Sequence, residues 1–304
     1  MVEFIRGDIM KLNEINIRDP FILVEGGKYY MYGTRARYTW GDTGTKYNYG
    51  FDVYVSCDLE NWSEPKSIFE YYDGFLGTRD FWAPEVHKYN GKFYMFATFK
   101  RENATRGTAI LESSTPDGTF KLHSDGLITP DDLSSLDGTF YLEGDTPYMV
   151  FCHEWTQVNN GTVCAVELSK DLKRAVGAPR LLWSAGDASW RHDIRGYGAY
   201  VTDGPFLLKR GGKLISIWSS FYKGEYCEAI ARSDNGKIDG NWSIDNKLVF
   251  EKNGGHGMVF KDLQGNDCFI YHTPNETPNE RPAIMKIDLD SWFGNNTLSF
   301  WNET

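Results

Sequence analysis

The 304 residues hold no apolar run long enough to span a bilayer, no tract of like charge, no low-complexity stretch and no Pro- or Ser-rich linker. These absences exclude a membrane-spanning helix and a polyelectrolyte tail, and nothing marks a boundary between domains. Residues 1–304 are therefore read as one domain. Cysteine is scarce: Cys57, Cys152, Cys164, Cys227 and Cys268 lie far apart, are odd in number and form no Cys-x-x-Cys pair. Neither a zinc site nor a full disulfide framework is expected, and the thiols read as reduced and packed. Positive charge is also short, with 32 Lys and Arg against 42 Asp and Glu and a net charge of −10. Such a surface repels phosphate backbones and anionic lipid, so neither nucleic acid nor a membrane is an expected partner. The opening MVEFIRGDIMKL has too short an apolar stretch for a secretory leader. The expectation is a cytoplasmic protein, or a secreted or periplasmic one if a leader has been removed.

Helical periodicity is nearly missing too, and what fills the chain is a repeated hairpin. FILVEGGKYYMYGT places two β-rich runs around Gly26-Gly27, and the pattern returns around Asn90-Gly91, Gly144-Asp145, Gly211-Gly212 and Gly265-Asn266. In the first four copies a third apolar run follows: FDVYVS, GTAILESS, TVCAVEL and CEAIARS. Radial repetition of small antiparallel sheets explains such a pattern, so the expected fold is all-β, a five-bladed β-propeller. A β-sandwich is the alternative, but it has no need to repeat one hairpin.

Superposed on their turns, the hairpins place Asp19, Trp82-Ala83, Asp137, Asp203 and His256 just before each first strand. In a propeller that strand is innermost, so these positions converge on one end of the central channel. Each aspartate alone reads equally well as a turn former. Three carboxylates crowded at an axis repel one another and lose hydration, a cost that a function or a cation would offset. Glycoside hydrolysis asks for this set: an acid to protonate the leaving oxygen, a carboxylate to activate water, and a neighbour that separates their pKa values. A neutral oligosaccharide or polysaccharide is indifferent to the net acidity and is the expected partner.

The strings RDP at 18–20, FWAPEV at 81–86, LDG at 136–138, DGPFL at 203–207 and GGHGMVF at 254–260 together resemble glycoside hydrolase family 43. The resemblance implies a five-bladed propeller that hydrolyses glycosides with inversion, mostly α-L-arabinofuranosides and β-D-xylosides of plant hemicellulose and pectin side chains. It makes Asp19 the general base, Asp137 the residue that tunes and orients the acid, and Asp203 the acid. The family usually carries Glu-Gly-Pro where this chain has Asp203-Gly204-Pro205, and aspartate is shorter by one methylene, about 1.5 Å. Glu228, Glu154 and Glu85 are the other candidates for proton donor. His256 matches an axial histidine that ligates a metal ion, often calcium, or a water; no cofactor is required for the chemistry itself. Calcium prefers oxygen ligands, and a histidine hydrogen-bonded to water satisfies the same sequence.

For the sugar-binding faces, Trp82, Trp155, Trp218, Phe21 and Phe221 offer flat rings, with Trp82 preferred for its place beside the axis. Most such rings in a propeller pack between blades. The long segment 35–50 offers Tyr38 and Trp40 as subsite residues. Arg281 resembles an arginine that reaches sugar hydroxyls or a catalytic carboxylate, with a surface arginine as the alternative. Exo action on arabinofuranosides is favoured. A phosphorylase or hydrolase of another sugar (mannoside, fructan or galactofuranoside) and a non-catalytic sugar-binding propeller are the competing functions.

Overall fold

Gly26 and Gly27 adopt φ of 56° and 74°, and Gly211 and Gly212 adopt 56° and 78°. Two successive left-handed residues give the tight turn whose twist matches that of the flanking strands, as Asn90 (φ 47°) and Gly91 (φ 80°) also do, whereas the third and fifth hairpins turn on one left-handed glycine each, Gly144 and Gly265. The computed structural model describes residues 9–36 and 49–294. It forms five antiparallel sheets in chain order, the blades of a propeller. The innermost strands are Ile17–Glu25, Arg79–Tyr89, Ser135–Glu143, Asp203–Arg210 and Gly255–Lys261. The second strands are Lys28–Arg35, Lys92–Lys100, Thr146–His153, Lys213–Tyr222 and Asp267–Thr273, and the third Gly50–Ser56, Arg106–Ser113, Thr162–Leu168, Glu225–Ser233 and Arg281–Lys286. The fifth blade thus has the third strand that its sequence did not announce.

Aromatic side chains fill the spaces between blades. Phe51, Phe69, Phe75, Phe81 and Phe99 pack together between blades 1 and 2, with Phe81 and Phe99 edge to face at 5.0 Å. Trp183, Trp190, Trp218 and Trp242 do the same between blades 3 and 4. Burying such rings is the main stabilising contribution of each seam.

Blade 5 is tied to the segment that leads into blade 1. Asn16 Nδ2 donates to the carbonyls of Pro278 and Glu280, and Arg281 Nε donates to that of Asn13. Arg281 therefore serves closure of the ring, and the pocket described next does not include it.

Candidate active site

Each innermost strand carries an irregularity at the same end. The pairing register slips between Arg18 and Phe21, Trp82 and Glu85, Leu136 and Thr139, Asp203 and Phe206, and Gly255 and Met258. Within each slip one residue is left-handed: Asp19 (φ 54°), Ala83 (45°), Asp137 (56°), Gly204 (50°) and His256 (50°). A β-bulge breaks the strict alternation of side chains, so two successive residues can face the same space. That is how Arg18 and Asp19, and Leu136 and Asp137, all line one pocket.

The strained turns are held by the preceding blade. Ala83 N–H donates to Thr34 Oγ1 (2.7 Å), Asp137 N–H to Thr98 Oγ1 (2.9 Å), His256 N–H to Ser219 Oγ (2.6 Å) and Asp19 N–H to His272 Nδ1 (3.2 Å). Blade 3 has Cys152 at the corresponding place, opposite Leu136. A thiol is a weak acceptor, and the Gly204 N–H instead donates to Asp137 Oδ2 at 3.0 Å. The bulges also correct the superposition of the hairpins. Asp203 precedes the left-handed residue of its blade, in register with Arg18 and Leu136, whereas Asp19 and Asp137 occupy the left-handed place itself. A Cβ on Gly204 would lie 2.6 Å from His256 Cδ2, so the imidazole fills the space where the blade-4 side chain would have been.

A cavity of about 580 Å³ results, lined among others by Arg18, Asp19, Trp82, Asp137, Glu154, Trp155, Asp203 and His256. This lies within the roughly 300 to 1,000 Å³ usual for small-molecule sites. Burial alone would raise the pKa of Asp19, but Arg18, His256 and the Thr34 hydroxyl, which donates to Oδ2 at 2.6 Å, hold it well below the usual carboxylate range. Asp137 is pushed up to about 7, chiefly by burial, against the pull of His256 and with the charges of Asp203 and Asp19 adding to the rise. Asp203 is raised by burial as well, although His256, Arg18 and the Tyr226 hydroxyl, which donates to Oδ2 at 3.0 Å, oppose the rise. One carboxylate is thus kept ionised beside two that share the pressure to retain a proton.

His256 Nδ1 lies 3.2 Å from Asp19 Oδ1 and 3.9 Å from Asp137 Oδ2. Burial opposes its charge, yet Asp19, Asp137 and Asp203 raise its pKa. His272 goes the other way, lowered to about 3 by burial and by Arg18. Its Nδ1 accepts the Asp19 N–H, so its 3.7 Å approach to the Asp19 carboxylate is a contact of a neutral ring. A metal-binding histidine must be neutral, whereas the acids around His256 favour imidazolium. Among the described residues no group of three or more His, Cys, Asp or Glu side chains is arranged to hold a metal ion. No step below passes through a cation.

Of the aromatic candidates, Trp82 and Trp155 line the cavity, each with an arginine over its ring, Arg106 at 4.5 Å and Arg195 at 4.4 Å. Trp218 is fully buried against Trp183 and Trp190. Phe21 lies past the bulge, against His87 and Phe206, and lines the opposite mouth of the channel. Tyr38 and Trp40 fall outside the described residues. The other proton-donor candidates separate cleanly: Glu85 is bound by His87 and Thr139, and Glu228 is fully buried beneath His256 with Ser219 donating to it. Glu154 does line the cavity, paired with Arg106 and accepting from Ser134.

Residues 13–293 match the sequence profile of glycosyl hydrolases family 43. The chain belongs to that family. This family-43 chain superposes on the crystal structure of an endo-arabinase from Bacteroides thetaiotaomicron with a TM-score of 0.83 and 37% identity, over 92% of this chain and 96% of that one. A thermostable family-43 glycoside hydrolase gives a TM-score of 0.80 at 26% identity, over 95% and 94% of the two chains. The extracellular exo-α-(1→5)-L-arabinofuranosidase of Streptomyces chartreusis is 29% identical over 63% of this chain. The match spans 62% of that relative's length, and 48% of the length of α-L-arabinofuranosidase 43 from Humicola insolens.

Proposed function

We propose that this family-43 protein hydrolyses α-L-arabinofuranosidic bonds of plant polysaccharide side chains or their oligosaccharides, with inversion and from the chain end. The observation that carries the reading is one cavity in which Asp19 is held ionised beside Asp137 and Asp203, both pressed toward the protonated form. In the reaction, water attacks the anomeric carbon while Asp19 takes its proton. The bond from that carbon to the leaving oxygen breaks, and Asp203 gives its proton to that oxygen. Asp137 acts through the backbone: by accepting the Gly204 N–H it fixes the residue next to Asp203, and its charge resists loss of the shared proton. The relatives named for arabinofuranosidase and arabinase activity support arabinose over xylose.

The test is a screen of 4-nitrophenyl α-L-arabinofuranoside, β-D-xyloside and β-D-galactofuranoside, with product anomers followed by NMR. Release of arabinose with the anomeric configuration inverted is expected. Retained configuration, or no turnover of any of the three, would sink the proposal. Single arabinose units from a linear arabino-oligosaccharide are expected of exo action, and early release of oligomers would replace it with endo action. Turnover that rises with added phosphate would point instead to a phosphorylase.

A further inference from the structure

Three cations stand side by side across one edge of blade 2. Lys100 on the second strand pairs directly with Arg79 on the first and with Arg106 on the third, so their side chains leave one face of the sheet. Like charges placed directly opposite destabilise a sheet. Arg106 is offset by Asp80 and Glu154. Among the described residues, Arg79 and Lys100 meet no carboxylate. Lys100 lines the cavity, and so does Arg195 from the segment leading to blade 4. Arg195 is held in place by stacking on Trp155 and by donating from Nη1 to the Tyr197 hydroxyl at 2.9 Å, and it too has no carboxylate partner among the described residues. The chain carries 42 acidic residues against 32 basic ones, so this wall is not left cationic for want of acids.

We infer that Lys100 and Arg195, reinforced by Arg79, form a cationic, anion-binding subsite at the cavity mouth that receives the carboxylate of a uronic acid unit on the bound saccharide. Arg79 and Arg195 are exposed and Lys100 is half-buried, so water solvates all three in the free protein, and a neutral sugar hydroxyl offers them only a hydrogen bond in exchange. A carboxylate accepts from both a lysine and an arginine and removes the repulsion across blade 2. The cations lie on the side of the cavity formed by blade 2 and the Trp155–Arg195 pair, while Asp19 and Asp203 belong to blades 1 and 4, so the anion is placed on a sugar unit beyond the one being cleaved. The inference rests on reading the cavity as a saccharide site and narrows its ligand from neutral chains to chains that bear acidic sugars.

The decisive comparison is between digalacturonic acid and its methyl ester, which keep one shape and differ in charge, each titrated calorimetrically into the parent protein. The acid is expected to bind about tenfold tighter than the ester, as one desolvated charge-assisted contact supplies. That ratio should fall toward one in 0.5 M salt, where the Debye length shrinks to about 4 Å from about 10 Å at 0.1 M, and in a Lys100→Gln/Arg195→Gln protein. Equal affinity for acid and ester in the parent, no binding of either, or a preference that survives both substitutions would overturn the subsite. Inorganic phosphate is the third arm: phosphate that binds as tightly as the acid and displaces it would assign the cations to a free anion and overturn the uronate reading. The two proposals fail separately. A parent that keeps the acid-over-ester preference but cleaves no glycoside loses the hydrolase reading alone. One that cleaves neutral arabinofuranosides without the preference loses the subsite alone.

Discussion

The two mouths of the central channel are made from the same innermost strands, yet they differ in every physical respect. At one end each strand is bulged, a left-handed residue is held by the neighbouring blade, and Asp19, Asp137, Asp203 and His256 face the cavity. A few residues further on the strands are regular, and Phe21, Val86, Phe140 and Met258 line the other mouth. The mutually interacting carboxylates are therefore placed where the backbone is irregular, whereas the regular end sets these apolar side chains beside His87, Lys88, Lys261 and Asp262. The regular end supplies the burial that makes the other affordable, since several crowded carboxylates and left-handed side chains each cost stability.

That division is broken most severely at the charged end. Asp19→Asn and Asp137→Asn should each lower kcat by about 10²- to 10⁴-fold while far-UV circular dichroism stays that of the parent. Rates like the parent's in both would remove these carboxylates from the chemistry. At the apolar end the effect should invert. Phe21→Ala empties a site where Phe21 is only 5% exposed and should cost about 3 to 5 kcal/mol in urea unfolding, with kcat per folded molecule within a few-fold of the parent. A kcat loss comparable to that of Asp19→Asn would show that the two mouths do not divide their work.

The sequence displayed the repeat because hairpin turns and strand alternation are local, and the five turns were found on that basis. The third strand of blade 5 carries a weaker signal, because RPAIMK is short and begins with Arg-Pro. Asp19, Asp137, Asp203 and His256 were legible as a set, but the one-residue offset of Asp203 was not. A bulge changes which of two neighbours faces the channel, and nothing in a linear string records it. The same geometry hid Arg18, which stands next to Asp19 and shares its pocket, and it sent Phe21 to the far mouth. Lys100, Arg106 and Arg195 had no signal of their own, because their meeting depends on cross-strand register and on the approach of blade 3 to the segment before blade 4. Trp155 and Trp218 read alike in sequence, yet a cavity and a seam between blades separate them.

Tyr226 sharpens the comparison within the charged end. Its ring is buried and lies 5.6 Å from that of His272, nearly parallel, and its hydroxyl donates to Asp203. This places a third-strand side chain behind the shortened acid, and Tyr226 acts as a positioning residue. A donor to the carboxylate favours the ionised form, so Tyr226→Phe should raise the pKa of Asp203 further. The alkaline limb of the kcat profile, where the acid loses its proton, should move up by about one to two pH units, given a net worth of about 1.5 to 3 kcal/mol for a hydrogen bond to a charged group. With Asp203 less well held, kcat at the optimum should fall about tenfold. A lower kcat with an unmoved limb would leave Tyr226 a packing role only.

The smallest effect belongs to a carboxyl that faces neither mouth. Glu228 is fully buried below His256, accepts from Ser219 at 2.6 Å, and its pKa is pushed up to about 8, chiefly by burial. In the unfolded chain it titrates near 4.3. Between those values the folded state binds more protons than the unfolded state, so stability falls as pH rises, and the contribution present below the unfolded pKa is lost by the folded one. Asp137, raised to about 7, has the same sign over an overlapping range. Glu228→Gln keeps the shape and removes one titration, so the variant's melting temperature should fall less than the parent's between pH 5 and 8, with the gap widest at the alkaline end. If the two melting curves shift in parallel across that range, Glu228 does not carry its proton into the folded state, and the loss of stability with pH belongs to Asp137 and Asp203 alone.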